Sequence, residues 1–168
     1  KRSSARSSDH IYVSGTIGDS ALGLHCKKKA KVNILKKHKE FLFNRYLKPN
    51  PRIDLINYIN KNASASTDIS DGLYSDLDNI CRASNLGADI NFNLVPLSSA
   101  ARAIVAKYPK LNKLILSGGD DYEVLFTGRD GLDRNKKITK IGKMKKGYNI
   151  NITHFDDITN LDGYKHKF

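Results

Sequence analysis

Two short acidic segments contain the residues best suited to chemistry. They are residues 66–72 (STDISDG) and residues 117–123 (SGGDDYE). In both, carboxylates stand beside glycines and hydroxyl groups, although the whole chain carries a formal net charge of +12. Mg²⁺ is commonly bound by one or two carboxylates together with substrate phosphates. The two segments therefore indicate a place where a divalent cation and a phosphorylated ligand could meet.

The first segment offers two carboxylates and a hydroxyl. In an extended backbone Asp68 and Ser70 point to the same side, and Asp71 follows at a bend that Gly72 permits. Such a group suits phosphoryl transfer, in which the protein positions the reactants and metal ions neutralise phosphate charge. Alternatively, Ser70 or Asp71 caps the following helix while the other acids are solvated. Spacing alone leaves both interpretations open.

The second segment places two like charges side by side. Gly118 and Gly119 allow a close approach of the backbone, and Asp120 and Asp121 come just before an apolar strand. Adjacent carboxylates near a buried strand are costly unless a cation, a donor or a substrate compensates them. A turn capped by aspartate would have the same pattern, so this segment is ambiguous as well.

Alternating strands and helices must position these segments. The pattern predicts helices that begin near residues 20, 41, 53, 72 and 99, and strands over residues 10–15, 88–92, 122–127, 138–144 and 147–152. We expect the last strand to pair with the one before it. Residues 63–70 are too small and polar to predict a strand by themselves. Helices mixed with strands, without a strict repeat, indicate an α+β fold with a mixed β-sheet layered with α-helices.

The turn after the first strand, residues 15–20 (GTIGDS), leads into a helix. Asp19 and Ser20 are suitable residues to cap that helix. Such a turn could also bind a phosphate at the helix N-terminus, but two glycines with this spacing are a weak signal.

Length and composition limit the class of protein. The chain has 168 residues, which is enough for one domain with a sizeable core. It contains no apolar run near the roughly 20 residues that a membrane span requires, and its first residues do not resemble a secretory signal. We therefore expect a cytoplasmic protein. Cys26 and Cys81 lack metal-binding spacing, which favours reduced thiols, and five scattered histidines give no zinc pattern.

The basic charge by itself does not indicate nucleic acid. Lysines outnumber arginines by 21 to 8, and asparagine and isoleucine are also abundant, which is typical of compositional bias at surface positions. Two lysine-rich runs, residues 27–31 and 136–146, lack the interleaved aromatic residues that stack on bases. We expect them to form a solvated face; the alternative is a patch that binds phosphate or RNA. We expect no nucleic-acid partner.

Four stretches taken together resemble thiamine-monophosphate kinase: residues 11–19 (IYVSGTIGD), 49–52 (PNPR), 65–73 (ASTDISDGL) and 117–123 (SGGDDYE). Their order and rough spacing also agree, and the resemblance covers nearly the whole chain. Related families such as aminoimidazole ribonucleotide synthetase share the architecture but have other signatures at the two acidic segments. The resemblance implies transfer of the γ-phosphoryl group of ATP, with Mg²⁺, onto thiamine monophosphate to give thiamine diphosphate.

Carried over residue by residue, the resemblance implies six site residues. They are the metal ligands Asp68 and Asp71, the ATP contacts Ser70 and Arg2, and the substrate contacts Asp120 and Tyr164. The family usually has glutamate at position 120, so the carboxylate here is one methylene shorter. Ser4 and Ser8 stand where the family tends to have glycine, which could stiffen the segment around Arg2.

The enzyme that the chain resembles has two domains. Its first domain forms the homodimer and supplies further acidic metal ligands and much of the ATP site. We therefore expect residues 1–168 to form a single C-terminal domain, with residues 1–9 as the hinge from an N-terminal domain that this chain lacks. Because two carboxylates and a serine cannot complete such a site, we expect the chain to be inactive alone. The alternative is a non-catalytic remnant that keeps weak affinity for nucleotide or thiamine.

Overall fold

A single mixed sheet organises the computed structural model, which describes residues 1–29 and 32–155. Its strand order is β2-β4-β1-β5-β3-β6, and every neighbouring pair is antiparallel except β3 with β6. The predicted α+β fold with a mixed sheet is confirmed. The strands are β1 (His10–Ser14), β2 (Ala63–Asp68), β3 (Gly87–Asn91), β4 (Val124–Gly128), β5 (Ile138–Lys145) and β6 (Ile150–Thr153).

Helices cover the sheet and bury its apolar side chains. Leu73, Leu77 and Ile80 are fully buried at helical spacing, as their periodicity predicts. In the central strand β1, Ile11 and Val13 face the main core, whereas Tyr12 faces a smaller core on the other side of the sheet. The helices are α1 (Asp19–Lys28), α2 (Lys36–Leu47), α3 (Ile56–Asn62), α4 (Leu73–Ser84), α5 (Ser99–Lys107) and α6 (Asn112–Ser117).

Residues 63–68 form strand β2 despite their small, polar side chains. The strand lies at the edge of the sheet and pairs antiparallel with β4. Ala65 and Thr67 point inward and are buried, and the Ala65 amide donates to Thr127 Oγ1 at 3.2 Å. The neighbouring strand therefore supplies the stabilisation that the local sequence lacks.

The predicted pairing of the last strand is wrong. β6 pairs in parallel with β3, in the register Ala88 with Ile150, and not with β5. Both edges of β5 are already occupied, by β1 and by β3. The chain instead crosses over Gly87, where a Cβ atom would lie only 2.5 Å from the carbonyl oxygen of Asn149. Because glycine stands there, β6 can reach the far edge of the sheet.

The predicted cap of α1 is also wrong. Gly18, with φ of +86°, precedes the helix, and neither Asp19 nor Ser20 caps it. Asp121 does so from the second acidic segment, because its two carboxylate oxygens accept from the amides of Gly18 at 2.6 Å and Ser20 at 3.1 Å. Asp19 turns inward and accepts from the hydroxyls of Thr16 and Ser98. The helix N-terminus is therefore occupied by a side chain of this chain.

Two further sequence expectations concern thiols and membranes. Both cysteines are free, and burial raises the pKa of the Cys81 thiol to about 12, which makes it a poor nucleophile. In the described part of the chain, none of the helices has the length and apolarity needed to span a bilayer.

Replacing Gly23 with alanine tests the contact between α1 and α2. A Cβ atom at this position would lie 2.2 Å from the carbonyl oxygen of Leu42, so the two helices would have to separate. We expect Gly23→Ala to lower the free energy of unfolding by roughly 1–3 kcal/mol, although alanine favours helix over glycine by about 1 kcal/mol. Urea denaturation followed by circular dichroism measures this, with the exposed Lys28→Ala as a control. Equal stability of Gly23→Ala and wild type would contradict the contact.

Asp121 makes stability depend on pH. Burial raises its pKa to about 7, so between about pH 4 and pH 7 the native chain retains a proton that the unfolded chain has released. Its contribution to the free energy of unfolding is thus fully present below about pH 4 and is lost as the pH rises through about 7, by at most about 1.4 kcal/mol per unit.

The variant Asp121→Asn lacks this titration. We therefore expect the stability difference between wild type and Asp121→Asn to shrink as the pH rises through that window, measured by urea denaturation at several pH values. Asp133→Asn, which replaces an exposed carboxylate, is the control variant measured in parallel. A difference for Asp121→Asn that stays constant or grows would show that Asp121 is ionised in the native state throughout.

Candidate functional site

The two acidic segments lie against each other. We call residues 68–72 the first acidic loop and residues 117–122 the second acidic loop. Three backbone hydrogen bonds join this region: the Asp120 amide donates to the Ser70 carbonyl at 3.0 Å, the Tyr122 amide to the Ile69 carbonyl at 2.9 Å, and the Ile69 amide to the Glu123 carbonyl at 2.8 Å. Segments about fifty positions apart in the sequence thus form one continuous surface.

Glycines make this approach possible. A Cβ atom at Gly119 would lie 2.1 Å from the Ser70 carbonyl oxygen. Gly72, with φ of +112°, stands at the turn into α4 and lies against the backbone of Ser117. Asp120 also adopts a positive φ, +66°, which is uncommon outside glycine. Its side chain is exposed at the surface of the second acidic loop.

The first acidic loop presents its polar groups at the end of β2. Asp68 is exposed, and Ser70 and Asp71 are half-buried beside it. Neither Ser70 nor Asp71 caps α4, because Gly72 occupies the N-cap position and no side chain of the cap residue accepts there. The capping interpretation of these residues is therefore wrong, and their side chains are not used to cap the helix.

Asp76, in the first turn of α4, fixes the backbone of the first acidic loop. Its Oδ2 atom accepts from the amides of both Ser70 and Asp71 at 3.0 Å, while its Oδ1 atom is buried without a hydrogen-bond partner among the described residues. Burial raises the pKa of Asp76, and the charges of Asp71 and Asp68 add to that effect. Sequence reasoning missed this residue. The available signal was an aspartate on the apolar stripe of a helix, three residues after Leu73.

Arg2 also reaches this end of the sheet. Its Nε atom donates to Thr67 Oγ1 at 3.2 Å, and the carbonyl of Lys1 accepts from the Ser66 amide at 3.0 Å. The structure thus brings five of the six predicted site residues to one region. The sixth, Tyr164, lies outside the described residues.

Behind the second acidic loop, Glu123 is the centre of a buried ionic cluster. Arg45 Nη2 donates to its Oε1 at 3.0 Å, and Arg52 Nε lies 3.6 Å from its Oε2 at ion-pair distance without a hydrogen bond. Ser14 Oγ donates to Glu123 Oε2 at 2.5 Å and accepts from the Val124 amide. Sequence reasoning did not assign these roles, because the partners are far apart in the chain.

The donor set limits what the site can bind. Among residues 1–29 and 32–155 no group of three or more carboxylate, histidine or cysteine side chains is arranged to hold a metal ion. Asp68 and Asp71 nevertheless match the one or two carboxylates with which proteins commonly hold Mg²⁺ when water and phosphate complete its coordination. The residues present therefore fit a magnesium ion whose remaining coordination positions are filled by other groups.

Comparison with curated proteins gives a consistent family. Thiamine-monophosphate kinase of Buchnera aphidicola (Acyrthosiphon pisum) is 37% identical over 166 residues, covering 96% of this chain and 48% of the relative. The enzyme of Aquifex aeolicus is 35% identical over 157 residues, covering 89% and 49%. The chain thus spans about half the length of these relatives, and it corresponds to their C-terminal half. No protein-family model matches the chain.

Solved structures agree with these relatives. A structure of AaThiL complexed with AMPPCP and TMP superposes with a TM-score of 0.85 at 34% identity, over 99% of this chain and 53% of that chain. Thiamine-monophosphate kinase from Stenotrophomonas maltophilia gives 0.82 at 32% identity, over 91% and 52%. The hydrogenase maturation protein HypE of E. coli, at 13% identity and a TM-score of 0.63, shares the fold alone. With its two acidic segments joined into one surface and these relatives in agreement, the chain belongs to the thiamine-monophosphate kinase family.

Proposed function

We propose that the chain acts as the C-terminal half of a kinase that transfers the γ-phosphoryl group of ATP, with Mg²⁺, to thiamine monophosphate and forms thiamine diphosphate. The observation that carries this proposal is the direct backbone pairing of the two acidic loops, through the Asp120–Ser70 and Tyr122–Ile69 hydrogen bonds. It brings the residues proposed for metal, nucleotide and acceptor to one surface. The AaThiL complex with AMPPCP and TMP supports the same pair of ligands.

The first acidic loop would serve the donor side of the reaction. Asp68 and Asp71 would hold Mg²⁺, which when bound neutralises charge on the phosphates. Ser70 would contact the nucleotide, and Arg2, next to β2, would donate to its phosphates. The hydrogen bonds that the Ser70 and Asp71 amides donate to Asp76 fix the backbone of these two residues, so the loop is oriented before any ligand arrives.

The second acidic loop would serve the acceptor side. We propose that Asp120 contacts the thiamine substrate, since its neighbour Asp121 is committed to the N-terminus of α1. With one methylene fewer than the glutamate usual in the family, Asp120 would reach less far toward the substrate. Tyr164 would pack against the thiamine rings, because a cationic thiazolium is attracted to an aromatic face.

The remaining metal ligands would come from an N-terminal half, in the same or a separate chain. Two carboxylates leave most coordination positions of a cation open. The reaction must also bring the anionic phosphate of thiamine monophosphate to the anionic γ-phosphate of ATP. We propose that this half also forms the homodimer and that the reaction takes place in the cytoplasm. Two free cysteines in the chain are compatible with a reducing compartment.

Nucleotide binding tests the donor side. We expect the chain to bind AMPPCP in calorimetry more tightly with Mg²⁺ than with EDTA, and we expect Asp71→Asn to weaken the magnesium-dependent part roughly tenfold or more. Asp133→Asn is the matched control, because it removes an exposed carboxylate that belongs to neither acidic loop. If Asp71→Asn and Asp133→Asn bind alike, Asp71 is not a metal ligand.

Reconstitution tests the complete reaction. We expect no thiamine diphosphate from the chain alone, and formation of the product once the N-terminal half of a thiamine-monophosphate kinase is added as a separate polypeptide. Chromatography of thiamine phosphates measures the product, and a mixture containing Asp68→Asn is the control. Robust turnover by the chain alone would refute the division between two halves. Nucleotide binding without turnover in any mixture would favour the non-catalytic alternative.

A further inference from the structure

A basic groove lies away from the acidic loops. It consists of two adjoining cavities of about 590 and about 510 Å³, which share Lys61, Asn62 and Arg129 as lining residues. Arg134 lines one end and Arg6 the other. All four cationic side chains are exposed, and none of them forms an ion pair with any other described residue.

Arginine is unexpectedly frequent in this groove. The chain has 21 lysines and only 8 arginines, yet three arginines and one lysine line the two cavities. Compositional bias toward lysine predicts the opposite ratio. Of the other five arginines, three form ion pairs: Arg45 and Arg52 with Glu123, and Arg82 with Asp78. Arg2 donates to the hydroxyl of Thr67, and Arg102 is exposed without an ion pair among the described residues, so the groove gathers three of the five arginines that lack one. Since guanidinium groups bind phosphate in a bidentate manner, an unpaired set of them indicates an anionic ligand.

The two acids in the groove do not cancel this charge. Asp130 is already bound by Lys140, whose Nζ lies 2.8 Å from its Oδ1, and His10 lies 3.7 Å from the same atom. Asp9 is buried and accepts from the backbone amide of Arg6 at 2.9 Å. The groove therefore keeps a surplus of positive charge.

The backbone that carries the cations is fixed. The hydroxyl of Tyr12 donates to the Arg129 carbonyl at 2.8 Å, and the hydroxyl of Tyr58 donates to the Leu132 carbonyl at 2.8 Å. Gly131, with φ of +81°, makes the turn between them, and the Asp130 carboxylate accepts from its amide. An anion entering this groove would meet cations on an ordered loop, which lowers the entropic cost of binding.

The groove and the acidic loops are separate places. In the β2–β4 pair, Ala63 lies opposite Gly128 at the groove, and Asp68 lies opposite Val124 at the acidic loops. Five residues of extended strand separate the two ends, or about 17 Å. Residues 2–6 connect the two places along the β2 edge of the sheet. Arg2 donates to Thr67 near the acidic loops, and Arg6 lines the groove.

We propose that this groove is a second ligand site, which binds an oligophosphate anion, either free or as the phosphate chain of a nucleotide. Arg129 and Arg134 would bind its oxygens from the ordered loop, and Arg6 and Lys61 would close the site from the other side. The proposal is independent of the proposed kinase reaction, since it requires neither the metal nor thiamine phosphate.

Titration of the 168-residue chain with inorganic pyrophosphate in EDTA tests the proposal by calorimetry. The double variant Arg129→Gln/Arg134→Gln should bind roughly tenfold more weakly or worse, since it loses two charge-assisted contacts. Arg102→Gln, which removes an exposed arginine on α5, should bind like wild type. A parallel titration with ADP distinguishes the sources: tighter binding of ADP than of pyrophosphate indicates a nucleotide, and equal or weaker binding indicates a free oligophosphate.

Three results would overturn the proposal. They are no binding of pyrophosphate by the wild-type chain, an equal loss of affinity in Arg102→Gln, and tight binding of a single-stranded RNA that pyrophosphate cannot displace. The wild-type chain also gives a test that does not depend on folding of the variants. Pyrophosphate should shift the side-chain Nε–H resonances of Arg129 and Arg134 in nitrogen–proton NMR spectra and leave that of Arg102 in place.

Discussion

The buried carboxylate of Glu123 is the constraint on which the surrounding structure depends. A buried charge is costly unless it is paired, and removing one partner of such a pair typically costs 3–5 kcal/mol. Here Arg45 comes from the end of α2 and Arg52 from the loop that follows it. The prolines of residues 49–51 end the helix and turn the chain back, which lets two nearby arginines reach one carboxylate. The PNPR stretch, residues 49–52, therefore has a structural role that does not require a ligand.

This constraint divides the acids of the second segment into structural and accessible ones. Glu123 is neutralised by arginines, and Asp121 caps α1, so both are committed inside the protein. Asp120 alone of the three is exposed. A pattern that looks in the sequence like one acidic patch is thus two buried anchors and one available carboxylate. The anchors place the loop against Ser70, and the available carboxylate faces outward.

Sequence patterns predicted those parts of the molecule that depend on local periodicity. The spacing of Leu73, Leu77 and Ile80 located α4, and Ser98 caps α5 as expected, accepting from the Ala101 amide. The pairing of β6 and the existence of β2 depend on which strand edges are free, and no local pattern contains that information. The same holds for the site: its acids were visible in the sequence, whereas the long-range partner of Asp121 was not.

The acidic loops are held in place by contacts that involve no ligand. Backbone pairing between the loops, the Asp76 bonds to two amides and the cap made by Asp121 are all internal to the chain. Burial raises the pKa of Asp76, and the charges of Asp71 and Asp68 add a smaller effect in the same direction. Ligand binding therefore does not have to organise this half of the site. In the proposed function, two carboxylates and a hydroxyl would supply only part of the coordination of a cation, and phosphates, water or a second protein segment would supply the rest.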